Sequence, residues 1–334
     1  MTTDNDKSSP QGSALEEATS ISTEVEQTAA ALGAELGAGA TGVSAESGGW
    51  ETAGKLVSDF RLVPPVIWGI GRAVFGKDGS IGEIHAGVFL PLATLVRYAA
   101  KQKPFGRGNE KDAPGDSVEE LRRAVTKIGG DVLGALCVMH PVCRRVSVSM
   151  SESLWRPLLN DALLSAQIGY LLGKYAEAFG RGRAMLAGFV ARSGVPTMIA
   201  MLDEKQRETV SEEIKQGASI NEWTKTLFGC EPLQISLLSL TAGGCSREAA
   251  LGIAMSLNAS TRPEPGSVCE QWLASYTIIE EIRIGNREKI SKSHWSALGI
   301  ESEDAKEKFF EDVDDLIKRN INWQWLTWAQ KWMA

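Results

Sequence analysis

Three histidines, His85, His140 and His294, are the only imidazoles in the chain. Metal-assisted hydrolysis of a phosphate ester needs histidines and aspartates converging on one divalent ion, which lowers the pKa of a bound water and polarises the phosphoryl oxygen. The three fall in separate expected elements, so their spacing outlines no such site. His140, beside Pro141 at an expected helix end, reads as a surface or capping residue. His85 and His294 read as residues at the edge of a core. The acidic pairs Glu280-Glu281 and Asp314-Asp315 are adjacent on expected helices. Helix neighbours do not face each other, so neither pair is a carboxylate dyad, and both read as solvated faces. No Gly-x-Ser-x-Gly elbow occurs. A Cys–His nucleophile stays open, because its partners meet only in space, but no residue pattern favours it.

Gly71-Arg72-Ala73-Val74-Phe75-Gly76-Lys77 has the spacing of a phosphate-binding loop. That loop works between a strand and a helix and needs Ser or Thr next to reach magnesium. Here Pro64-Pro65 precede it and Asp78 follows, so the reading is a helix over Val66–Phe75 ended at Gly76. The five cysteines, Cys137, Cys143, Cys230, Cys245 and Cys269, include no Cys-x-x-Cys pair. They read as reduced, mostly buried thiols.

The elements that would have to position any site centre on Leu154 to Leu202. Leu158, Leu159, Ala162, Leu163, Ala166 and Gly169 recur at three- and four-residue spacing, which marks a helix face turned into a core. Gly180-Arg181-Gly182-Arg183 breaks the run, and Met185, Leu186, Phe189 and Val190 begin a second one. Gly194-Val195-Pro196 is expected to interrupt that second helix, because proline removes a backbone donor. Upstream, Pro91 opens a helix with Leu92, Leu95, Val96 and Ala99 on one face. Leu121, Ala124, Val125 and Ile128 form another face, stopped at Gly129-Gly130, and Asp131 is expected to cap a helix through Met139. Downstream, charged residues 203–216 suggest a loop and an exposed helix. Helices then follow over 243–257 and 268–282, and a last one carries Phe309, Val313, Leu316 and Ile317.

Leu154-Trp155-Arg156-Pro157-Leu158-Leu159 and Leu186-Ala187-Gly188-Phe189-Val190-Ala191-Arg192-Ser193-Gly194 resemble two helices of the HDOD family, the HD-related output domains of bacterial signalling proteins. Family members read Leu-Trp-Arg-His-Ser-Leu in the first and Leu-Ala-Gly-Leu-Leu-His-Asp-Ile-Gly in the second. Leu227-Phe228-Gly229 matches a third family motif, whose Asp-His pair is Glu231-Pro232 here. The family's His-His pair falls at about Leu257-Asn258, and Leu273-Ala274-Ser275 stands for Leu-Ala-Asp. The family's Asp before the helix-opening proline is Leu90, and its Asn-Ser ending falls near Ala100-Lys101. The resemblance runs from about Ser58 to Arg319 and rests on the order and spacing of many helices. It implies an all-α fold with an N-terminal helical bundle and a degenerate HD-like bundle. Pro157, Ala191, Arg192 and Ser275 would stand where metal ligands are lost, with Asp161 beside them. Arginine ligates no metal but can supply its positive charge. Two readings of Arg192 are open: an ion pair with Asp161, or exposure to solvent. The implied function is a non-catalytic regulatory module acting through a protein partner, with a nucleotide ligand in the vestigial cavity as an addition. A metal-dependent phosphohydrolase or phosphodiesterase with an unconventional site is the alternative.

Residues 1–49 are rich in Ser, Thr, Ala, Gly and Glu and lack aromatic residues until Trp50, so a disordered arm with transient helix is expected. Residues 50–320 form the HDOD-like part, divided at about 150/151 into an N-terminal helical subdomain and an HD-like one. Residues 321–334 form a Trp-rich helix with Ile321, Trp325, Trp328 and Trp332 on one face. That face suits docking onto the same chain, a partner or dimer surface, or a membrane surface, for which Lys318, Arg319 and Lys331 are a thin basic complement. With 42 acidic against 35 basic residues, the net charge of −7 argues against a dedicated nucleic-acid binder. No run of eighteen apolar residues suggests a membrane span, the N-terminus has no signal-peptide pattern, and a cytoplasmic location is expected.

Overall fold

The computed structural model describes residues 10–37, 45–60, 95–97, 99, 118–215, 219–258, 261–319 and 326. All regular structure among them is helical, and the fold is all-α. In chain order the helices are α1 (Pro10–Gly37), α2 (Ala45–Asp59), α3 (Val118–Ile128), α4 (Gly130–Ser149), α5 (Glu152–Tyr175) and α6 (Arg181–Met201). There follow α7 (Glu204–Lys215), α8 (Ile220–Phe228), α9 (Pro232–Ala242), α10 (Arg247–Ala254), α11 (Val268–Arg283), α12 (Lys292–Ala297) and α13 (Glu303–Arg319). The phosphate-loop pattern, His85 and the three candidate tryptophans Trp325, Trp328 and Trp332 lie outside the described residues.

A helix that is apolar all round must be enclosed, and α6 meets that demand. By length and composition α6 could cross a membrane, yet 78% of its apolar stretch is buried inside the protein. It packs against α4, α5, α8, α9 and α11. The approach to α5 is set by glycine: a Cβ on Gly188 would stand 2.1 Å from the Ser165 carbonyl oxygen, and one on Gly169 2.0 Å from that of Ala184. Asp131 does not cap its own helix. Its carboxylate accepts a 2.8 Å bond from the Gly182 N–H, supplying the N-terminus of α6 with an anion that Gly180 cannot provide.

Two expectations are corrected here. Helix α6 runs through Pro196 to Met201, and α4 runs through Pro141 to Ser149. Each proline removes one helical hydrogen bond, but burial on several sides holds the helix across the gap. Within residues 1–49, where disorder or transient helix is expected, lies α1, whose Ile21, Val25, Ala29, Leu32 and Leu36 are buried beside Trp50, Ala53 and Val57. Its composition is poor in apolar residues, yet those it has fall on one helical seam, and small partners let α1 and α2 pack closely. The buried core is continuous from α1 to α13.

His140 is also corrected. With α4 continuing past Pro141, His140 sits mid-helix and is only 2% exposed. Its Nδ1–H donates to the Leu326 carbonyl oxygen at 2.7 Å, which fixes the tautomer. Leu326 is itself fully buried, so the chain at this position is held against its own α4. Burial pushes the imidazole down to about 4; Arg144 adds to that, and the Leu326 carbonyl works against it. An unfolded histidine titrates near 6.5, so between 6.5 and 4 the unfolded chain binds a proton that the folded chain refuses. Stability is therefore fully present above 6.5 and falls as the pH drops towards 4, by about 3 kcal/mol from this residue. Chemical denaturation of wild type and His140→Asn checks this: wild type should lose about 3 kcal/mol more than the variant between neutral pH and about pH 4. Equal losses would refute it.

Candidate functional site

Among the residues of α6 after Arg183, Arg192 alone carries a charge. It faces α11, and its guanidinium takes Glu280 by two bonds, Nε to Oε1 at 3.0 Å and Nη2 to Oε2 at 2.8 Å. The Asp161 carboxylate of α5 lies 3.9 Å from Arg192 Nε and is held by Arg283 of α11. Asp161 and Arg192 are thus brought together, but the closer partner of Arg192 is Glu280. All four side chains are partly buried, with Arg192 25% and Glu280 21% exposed.

Burial holds the Glu280 carboxyl above the ordinary carboxylate range, and Arg192 opposes it without overcoming it. A two-point ion pair would by itself lower that pKa, so desolvation is the larger effect at this position. Burial likewise pushes the neighbouring Tyr276 phenol up to about 12.

The other candidates are placed differently. Pro157 is exposed within α5, one turn before Asp161, and Ala191 is half-buried beside Arg192. Ser275 is fully buried on α11, and its Oγ has no hydrogen-bond partner. The reading of Glu280 as part of a solvated acidic pair is corrected: Glu280 is the main anion of the cluster, and Arg283 is a second cation that went unnoticed. A signal for both was present. Tyr276, Glu280 and Arg283 are spaced four and three apart, so they form one polar stripe beside the apolar face of α11. A lone arginine in an apolar helix also demands a buried anion.

The alternative phosphohydrolase reading needs a divalent metal, and the residues present do not fit one. The two available carboxylates are each engaged by a guanidinium, and no histidine takes part. Among the described residues no three His, Cys, Asp or Glu side chains gather as a metal site. His294 is half-buried on α12, where burial lowers its pKa. Cys137, Cys143 and Cys245 are fully enclosed, and burial raises their thiols, to about 12 for Cys137 and Cys245, which makes poor nucleophiles. Two cavities lie elsewhere. One of about 490 Å³ is bordered by α2, α4, α6 and α7, and one of about 220 Å³ by Trp50, Cys230 and Gln234 among others.

Removing one member of the cluster strands its partner. Arg192→Ala should destabilise the protein by about 2 kcal/mol, somewhat below the range for a fully buried pair. Arg192→Met with Glu280→Gln should recover most of that loss in urea denaturation. Ser275→Ala removes an unsatisfied hydroxyl and should be neutral or stabilising by up to about 1 kcal/mol, read as an unchanged or higher midpoint.

No family model and no curated protein matches the chain. Two crystal structures share its fold. A protein titled "Putative phosphohydrolase" from Shewanella amazonensis SB2B superposes with a TM-score of 0.54 at 15% identity, covering 83% of this chain and 98% of that one. An HDOD domain protein of unknown function from Geobacter sulfurreducens gives 0.53 at 14% identity, covering 80% and 95%. At such identities the likeness concerns the fold alone, and the chain has an HDOD-like all-α fold.

Proposed function

We propose that the chain is a non-catalytic regulatory module of bacterial signal transduction that works in the cytoplasm by binding a protein partner. The observation that supports this reading most is the guanidinium of Arg192 clamped on Glu280, with Asp161 held by Arg283, where the resemblance would put metal ligands. A guanidinium stays protonated at any physiological pH and has no exchangeable water. It can neither ligate a hydroxide nor lower the pKa of a water as a divalent ion does. Both carboxylates are already engaged by guanidinium groups, so neither is open to a metal ion. What the arrangement retains is a helical frame with a charge-balanced centre. The five free cysteines suit a reducing compartment.

The second reading, a phosphohydrolase with an unconventional site, draws on the description attached to the Shewanella neighbour. The two separate in one assay. Full-length protein supplied with manganese, iron, zinc or magnesium should show no turnover of phosphomonoesters or phosphodiesters above a protein-free blank. It should also retain no stoichiometric metal after gel filtration. Turnover abolished by a chelator, and restored by the metal, would overturn the binding-module reading.

A further inference from the structure

The larger cavity has a chemistry of its own. Three helices end at it: α2 through Leu56, Asp59 and Phe60; α4 through Arg145, Val148 and Ser149; and α6 through Ala200, Met201 and Leu202. The first turn of α7 adds Arg207. Its volume of about 490 Å³ is in the range of small-molecule sites.

Helix C-termini present carbonyl oxygens and each carries roughly half a negative charge. Three of them, with the Asp59 carboxylate, would make the cavity negative. The two arginines offset this. Arg207 donates to the Leu202 carbonyl oxygen at 2.6 Å, covering the end of α6 with one of its five N–H groups. Arg145 lies 5.1 Å over the Phe60 ring, and its buried Nε has no hydrogen-bond partner. Among the described residues, no group of opposite charge forms an ion pair with Arg145, Arg207 or Asp59. The cavity therefore offers unused donors from two arginines and unused acceptors from Asp59 and the helix ends.

We propose that this cavity binds a small hydroxylated phosphate ester, with the phosphate between Arg145 and Arg207 and the hydroxyl groups donating to Asp59. Two forks projecting from different helices match a tetrahedral phosphate, which has three free oxygens out of one plane; a carboxylate has two oxygens in one plane and is filled by a single fork. Val148 and Met201 add apolar surface beside the polar groups. Arg192 lies ten residues before Leu202 on the same helix, about 15 Å away along its axis. The site is thus separate from the Arg192–Glu280 cluster and does not depend on its reading.

Titration calorimetry on the full-length protein tests the site with inorganic phosphate, ribose 5-phosphate and adenosine monophosphate. Saturable binding of at least one ester, tighter than inorganic phosphate, is expected; which ester binds tighter tells a sugar phosphate from a nucleotide. Arg145→Gln and Arg207→Gln should each weaken binding at least tenfold. Asp59→Asn should weaken the esters and leave inorganic phosphate unchanged. Arg156→Gln, at an exposed pair with Glu152 on α5, should bind as wild type. Should Arg145→Gln fail to fold for want of its contact with Phe60, Arg145→Lys keeps the charge without the fork and should still weaken binding. Absence of saturable binding by all three probes, or esters bound no tighter than phosphate, would overturn the proposal. So would full affinity in Arg207→Gln and Arg145→Lys.

Discussion

A permanent positive charge on an enclosed apolar helix is the condition to which the centre of this fold answers. Arg192 cannot lose its proton, and a charge taken from water without a partner is among the most expensive things a core can hold. Its place on α6 therefore requires anions on the helices that flank it. Glu280 comes from α11 and Asp161 from α5, and Arg283 balances the second carboxylate. Because these groups must meet within hydrogen-bond distance, the rotation of α5 and α11 about their own axes is tied to that of α6. The raised pKa of Glu280 shows that desolvation outweighs the attraction it receives. The cluster therefore serves less as a source of stability than as a means of selecting one arrangement of three helices, a role that ionic groups fill elsewhere when apolar packing alone leaves alternatives.

Most of the fold was legible because its helices announce themselves locally. Phe309, Val313 and Leu316 in α13, and Leu159, Ala162, Leu163 and Ala166 in α5, follow the helical period and are buried as that period requires. The all-α class and the order of elements follow from such runs. Local rules failed where distant residues decide the outcome. Pro141 and Pro196 carry a real local penalty, but it is outweighed by the apolar surface their helices bury on every side. That same continuation of α4 is why His140 lies in the core and not at a helix end. Residues 21–36 look too polar to fold alone, and their buried seam is completed by α2, α9 and α10.

The candidate cluster was half legible. Arg192 stands at a lost ligand position and Asp161 one turn past another, and the structure puts them 3.9 Å apart. Glu280 was hidden by Glu281, its neighbour in sequence. Two adjacent acids look like a solvated face until the helix is rotated, when one turns towards α6 and the other along a different side. Both are partly enclosed, Glu280 against Arg192 and Glu281 through a carboxylate oxygen shut off from solvent, and the direction of each is set by how Trp272, Ile279 and Ile282 seat α11 in the core, a tertiary matter that no window of sequence contains.

Joining helices through guanidinium groups differs from joining them through a metal in more than reactivity. A divalent ion holds its ligands only while they are deprotonated, so acid or a chelator releases the helices it joins. It also brings water that can be exchanged for substrate. An arginine on each carboxylate brings one charge apiece, enough to neutralise two anions, and offers no open coordination position. Such a centre holds its helices in one arrangement across physiological pH and whatever the supply of metal. On the regulatory reading proposed above, a signal would reach such a scaffold through its partner or through a ligand bound away from the cluster.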